Sequence, residues 1–416
     1  MNYTEEEKIQ YLNESKSFCM MPWVHLHVTP AGAALPCCIG NHSHTVGNIT
    51  EKSLIELVNS DGMNDLRRDM LDGVLNPACS ACHSHEEQGI VSFRKTNNEA
   101  YGKYFDEVLT HTDIDGILVN FKMRYFDIRL SNICNMKCRT CNSQYSSMWE
   151  QEDNKQGTKT FSITKDTRTS YLPQILQHIP HIDMAYFAGG EPFISEEHYI
   201  MLEEMIKHNR TDIVLRYNSN LSVLGYKNKD LLSLWKHFKN KVQIYASIDH
   251  YGSRAEYIRH GTDWGKIENN FDMLKKLDYV SMQINSVLSI YNFVTFGDFY
   301  NYIIDKNWID SDSFVYTVYN MISPVYLTAL ALPNSYKILG TNNINTAINR
   351  LQNIGYTNNI TPMQITQLSD AINWATSKNT WDEHKDLFRA EIVRLDTIRN
   401  ENFTTVFPEL SGLMHD

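Results

Sequence analysis

Residues 124–141 read RYFDIRLSNICNMKCRTC. In 124–131 the apolar Phe126, Ile128 and Leu130 alternate with polar neighbours, which is the period of a strand. The strand runs into a loop that carries Cys134, Cys138 and Cys141 as C-x-x-x-C-x-x-C. Three thiolates on one short loop can hold three irons of a four-iron cluster and leave the fourth open, whereas a closed structural site takes four protein ligands. An open iron can bind a substrate or a cofactor. A zinc ion completed by a distant histidine competes with this reading, although zinc loops more often use paired C-x-x-C spacing.

Downstream, β-rich runs at 183–188, 212–218, 242–247, 281–288 and 314–319 alternate with helical stretches such as 195–208, 230–237 and 263–277. Together with 124–131 they make a βα pattern repeated six times, which predicts the α/β class and a parallel sheet. Right-handed crossovers would curl such a sheet toward a partial (β/α)6 barrel, with chemistry at the carboxyl ends of its strands. Gly189-Gly190-Glu191-Pro192 stands at the end of the second of these strands. Two glycines let backbone approach a ligand closely, and a carboxylate beside them can accept hydrogen bonds from an ammonium group.

The cysteine loop after the first strand and the GGEP sequence after the second resemble the radical S-adenosylmethionine (radical SAM) superfamily, over most of residues 15–325. The resemblance implies a [4Fe-4S] cluster on Cys134, Cys138 and Cys141 whose open iron chelates S-adenosyl-L-methionine. It also implies reductive cleavage to a 5′-deoxyadenosyl radical, fed by an electron donor such as flavodoxin or ferredoxin. Gly189, Gly190, Glu191 and Pro192 then frame the cofactor, with Glu191 near the methionine ammonium. Asn218 matches a polar position near the ribose, although the usual Asn-Gly pair is absent. Ser247 and Asp249 resemble a polar pair that contacts the cofactor. Arg259, in Tyr257-Ile258-Arg259-His260-Gly261, resembles the arginine that approaches the methionine carboxylate, and Arg254 is a second candidate. Thr140 departs from the aromatic residue that packs on adenine in many members. Read alone, Asn218 and Asp249 are also ordinary turn residues, and Arg259 an ordinary surface one.

A second cysteine group holds Cys19, Cys37, Cys38, Cys79 and Cys82. Val24, Leu26 and Val28 alternate with His25, His27 and Thr29 before a Pro-Ala-Gly turn, which predicts a β-hairpin ending in cysteine. A helical stretch at 53–71 leads to Cys79-Ser-Ala-Cys82. Cys19, one of the Cys37/Cys38 pair, Cys79 and Cys82 can close a four-thiolate site. The group resembles the twitch or SPASM-type auxiliary cluster module of radical SAM maturases, which implies an auxiliary [4Fe-4S] cluster. Its Gly-x4-Cys hairpin is met by Gly32 and Cys37, so the resemblance selects Cys37. In those families the module follows the barrel, whereas here it precedes it. Zinc uses the same four thiolates. Cys79-Ser-Ala-Cys82-His83 also spells a c-type haem attachment motif. His42, His44, His83 and His85 are alternative ligands, although a histidine near a cysteine site is more often an outer-layer group. Cys38, left over, can replace Cys37, pack as a small hydrophobe or donate hydrogen to a substrate radical; burial is the commonest fate of such a thiol.

Residues 1–118 are read as the auxiliary module, 119–325 as the partial barrel and 326–416 as a helical extension. In the extension, Trp381, Leu387, Ile392, Leu395 and Ile398 fall near one helical stripe. The polar 151–160 is read as a loop. The chain of 416 residues has a net charge of −11, which argues against an electrostatic nucleic-acid binder. The absence of a long apolar run and of a leader at the amino terminus suggests a cytoplasmic protein that is not in a membrane. Eight cysteines in that reducing setting suit metal ligands better than disulfides. The expected function is radical modification of a peptide or protein side chain. The alternatives are radical modification of a small metabolite or nucleotide, and a metal-stabilised binding scaffold without turnover.

Overall fold

The structure, a computed structural model, describes residues 3–157, 163–240, 242–309, 316–354 and 360–415. The chain divides into two compact units. The first comprises residues 1–133, 153–217 and 226–240, and the second 134–152, 218–225 and 241–416.

In the first unit the strands are β1 (His25–Val28), β2 (Ala33–Leu35), β3 (Gly47–Asn48), β4 (Tyr125–Ile128), β5 (Met184–Phe187) and β6 (Val214–Ser219). Their order across the sheet is β6-β5-β4-β1-β2-β3. The β4-β5 and β5-β6 pairs are parallel, as the βα alternation requires. The hairpin β1-β2 is antiparallel, with Gly32 in its turn at φ +87°. A side chain there would strike Oδ1 of Asn48 at 2.5 Å, so the turn takes glycine for space as well as for conformation. Strand β1 also lies parallel to β4, pairing His25 with Tyr125, Leu26 with Phe126, His27 with Asp127 and Val28 with Ile128. Residues in register share a face. Leu26, Val28, Phe126 and Ile128 therefore line one side and the four polar or tyrosine partners the other, all of them buried. The second unit contains β7 (Val242–Ser247), β8 (Val280–Leu288) and β9 (Tyr316–Asn320), with β8 parallel to both neighbours. Phe314, where the sequence pattern begins this last strand, lies outside the described residues.

Three local expectations differ from the structure. The helical stretch 53–71 is two helices, Leu54–Val58 and Asp61–Leu71. Ser60 has the extended ψ of 155° that starts a new helix, and the Asn59 side chain bonds the backbone of Leu118 instead of continuing the turn. The polar 151–155 belongs to helix α1 (Ser147–Lys155), and 158–160 lie outside the described residues. Helix wins there because the Glu152 carboxylate is buried against Arg399, 2.8 Å away, and Lys137. In helix α2 (Trp381–Arg399) the buried stripe is Phe388, Ile392, Leu395 and Arg399, while Leu387 and Ile398 are 57% and 45% exposed. The spacing of four, three and four residues holds, but it starts at Phe388.

Several histidines are buried in the neutral form. Burial lowers His25 and His178 to about 4, and His198 and His250 to about 3. An unfolded histidine titrates near 6.5, so below that pH the unfolded chain binds protons that the folded one refuses. Stability is full above about pH 6.5 and falls as the pH drops toward 4, each group adding up to ~1.4 kcal/mol per pH unit of slope. Thermal unfolding followed by circular dichroism at pH 7.5, 6 and 5 is expected to show a progressive fall in Tm; a flat profile would contradict it.

Candidate iron-sulfur sites

In the second unit the loop 134–141 is held by its backbone. Lys137 N donates to His260 O at 2.9 Å and Arg139 N to Ile258 O at 2.7 Å, so the cysteine loop is laced to the segment carrying Arg259. The start of α1 closes the other side: Ser147 Oγ donates to Cys134 O, Ser146 Oγ to Met136 O, and Trp149 Nε1 to Cys138 O at 2.7 Å. Gly261, at φ +101°, lies so near that a Cβ would sit 3.0 Å from Asn135 O.

Arg259 is the cation at these thiols. Its Nη1 is 3.8 Å from Cys138 Sγ, and its Nε pairs with Oδ2 of Asp249 at 2.8 Å. The other Asp249 oxygen accepts the amide of Val287 at 2.8 Å, so the carboxylate is engaged on both sides and holds the guanidinium in place. Burial raises the Cys138 thiol against the lowering effect of Arg259, and burial followed by Cys138 raises Cys141 to about 12. As free thiols these groups stay protonated; an electrophilic metal would take them as thiolates. Arg254 is committed elsewhere, to Glu409 and Thr295. Asn218 accepts from Asn285 Nδ2 at 3.5 Å, and Ser247 is the half-buried last residue of β7.

In the first unit Gly189-Gly190-Glu191-Pro192 follows β5. Gly189 has φ +122°, and a Cβ on Gly190 would fall 2.1 Å from Ile133 O. That approach lets Glu191 N donate to Ile133 O at 2.7 Å, pinning the loop to the residue before Cys134. Glu191 itself is 2% exposed, and its Oε1 accepts from Phe193 N.

The amino-terminal thiols surround a cavity lined by Cys19, Cys37, Cys79 and Cys82 together with Ile39, Phe93 and Arg94. Cys38 does not line it and instead bonds Asp127; burial and then Asp127 push its thiol up to about 12. His42, His44 and His85 are exposed, and His83 lines a neighbouring pocket. Among the described residues the cysteines form no group of three donors within 4.8 Å of one another. Three sulfurs on one zinc ion would lie about 3.8 Å apart, given a Zn–S distance of about 2.3 Å. Four thiolates are a donor set that a closed iron-sulfur cluster and a zinc ion can both take. Arg94, buried beside these thiols and held by Glu86 at 2.6 Å and Phe18 O at 2.8 Å, was not legible from spacing. It supplies positive charge where thiolates would gather. With Cys37 in the cavity and Cys38 outside it, Cys37→Ala is expected to lose the iron of this site and Cys38→Ala to keep it. Iron and sulfide content of the two reconstituted variants reads the difference.

The SPASM family, an iron-sulfur cluster-binding domain, matches residues 19–83, which encloses all four cavity thiols. The amino-terminal module is therefore similar to the SPASM iron-sulfur cluster-binding domain. No curated protein matches the chain by sequence. Among solved structures the chain is similar to native anSMEcpe with bound AdoMet, at 20% identity and TM-score 0.39, over 54% of this chain and 59% of that one. It is also similar to Streptococcus suis SuiB bound to precursor peptide SuiA, at 16% identity and TM-score 0.36, over 65% and 60%. The chain thus spans less than two thirds of either. No helix among the described residues is long and apolar enough to cross a membrane.

Proposed function

We propose that the protein is a radical SAM enzyme with one auxiliary iron-sulfur cluster, acting on a peptide or protein side chain. The observation that carries the reading is the half-buried Arg259 beside Cys138, locked by Asp249. A fixed planar guanidinium beside a loop of only three thiols suits a bound carboxylate. When bound, the cluster and S-adenosylmethionine supply an electron and a carbon radical that abstracts hydrogen from substrate.

The chain's own residues orient and enclose. Cys134, Cys138 and Cys141 would hold the cluster, leaving one iron for the cofactor. Arg259 offers a planar pair of donors to the methionine carboxylate, and Asp249 keeps it from swinging away. Glu191 is the carboxylate suited to the methionine ammonium, while the glycines before it keep side chains out of that approach. Asn218 and Ser247 offer polar atoms for the ribose. Cys19, Cys37, Cys79 and Cys82 would hold the auxiliary cluster. The peptide substrate rests on analogy with the auxiliary module, and the external electron is assigned to a flavodoxin or ferredoxin.

The deciding experiment is anaerobic reconstitution followed by dithionite and S-adenosylmethionine, with chromatography for 5′-deoxyadenosine. Product is expected. A cluster-loaded protein that yields none would refute the enzyme reading.

A further inference from the structure

Between β1 and β4 lies a polar cluster that neither thiol site uses. His25 and His27, two apart on β1, share one face, and each is anchored by the β4 residue opposite it. His25 Nδ1 is 2.9 Å from Tyr125 O; His27 Nδ1 is 3.0 Å from Oδ2 of Asp127 and 3.1 Å from its backbone oxygen. A carbonyl oxygen can only accept, so the His25 proton sits on Nδ1 and its Nε2 carries the lone pair. That Nε2 is buried without a hydrogen-bond partner, in a residue with no exposed surface. A bare acceptor in a dry interior is costly and calls for a partner. One nitrogen of each ring and a carboxylate oxygen of Asp127 lie within 4.8 Å of one another. Arg129 Nε occupies Oδ1 of Asp127 at 3.2 Å, so Oδ2, 3.0 Å from His27 Nδ1, is the oxygen that faces the rings, and a metal ion would replace that contact. Cys38, bonded to Asp127, is a further soft donor.

We propose that His25, His27 and Asp127 form a site for one divalent transition-metal ion, separate from both cysteine sites. Two imidazoles and a carboxylate suit iron(II), cobalt(II) and zinc. A ligating histidine characteristically donates its other ring N–H to a carbonyl or carboxylate, and His25 does so to Tyr125. Ligation supplies the partner that Nε2 lacks.

The test uses full-length protein with its thiol sites first filled by cluster reconstitution, then exposed to cobalt(II) and dialysed. One cobalt per chain is expected, with nitrogen and oxygen neighbours at about 2.0–2.2 Å in cobalt-edge X-ray absorption. His25→Gln, with unchanged iron content and circular dichroism, is expected to weaken retention at least ~10-fold. No retained cobalt, neighbours that are all sulfur at about 2.3 Å, or retention unaltered in His25→Gln would each overturn the site. Should the variant fail to fold, the wild-type absorption spectrum decides alone. This test stands apart from the enzymatic reading, since it needs no turnover.

Discussion

Replacing Cys134, Cys138 and Cys141 together by alanine is expected to halve the cluster iron of the reconstituted protein and to abolish 5′-deoxyadenosine formation. The loop should survive the change. Its ties to His260, Ile258 and Trp149 run through backbone atoms that alanine retains, and only the thiols leave. The remaining iron would belong to Cys19, Cys37, Cys79 and Cys82 in a different unit. Iron analysis with electron paramagnetic resonance after reduction measures both results at once. An unchanged iron content would place the metal somewhere other than on these residues.

Gly190→Ala is expected to be nearly as damaging, for a steric reason. Its new methyl carbon would sit 2.1 Å from Ile133 O and 2.7 Å from Ile133 C, both backbone atoms that cannot rotate away. The loop must retreat, and the hydrogen bond from Glu191 N to Ile133 O would stretch or break. Overpacking of this kind costs about 1–3 kcal/mol. A displacement near 1 Å at a positioning group can cost about 10²-fold in rate. The expected result is therefore a fall in 5′-deoxyadenosine production of about two orders of magnitude with the iron content kept. Gly62→Ala is the matched control. Gly62 is helical, and a methyl there meets only Val46 Cγ1 at 3.7 Å, so activity and stability should hold. Equal losses in both variants would show that steric exclusion at Gly190 is not the cause.

The parallel strands could be read in advance because their side chains announce a period of two: Phe126 and Ile128 face one way, and the strand ends where the cysteines begin. The thiol loops could be read because ligand spacing is local. What the chain concealed was long-range. The pairing of β1 with β4 joins residues a hundred positions apart, and nothing in a hairpin's pattern names its outer neighbour. The same distance hid the commitment of Arg254 to Glu409 and the buried contact of Glu152 with Arg399, which turned a polar stretch into helix. Arg94 and the His25–His27–Asp127 cluster escaped for a related reason. A charged or imidazole side chain declares its task only once its burial and partners are known.

The β1–β4 pairing bears on how the chain can be divided. The amino-terminal cysteine module is stitched by main-chain hydrogen bonds into the same sheet as β4, so it is no detachable bead on a string. Cutting before β4 would strip a neighbour from that strand and leave a row of open amide and carbonyl groups beside the apolar Phe126 and Ile128. Such a bare edge invites pairing with another chain. Loss of the module is thus expected to bring aggregation of what is left, so the chain has to be expressed in one piece.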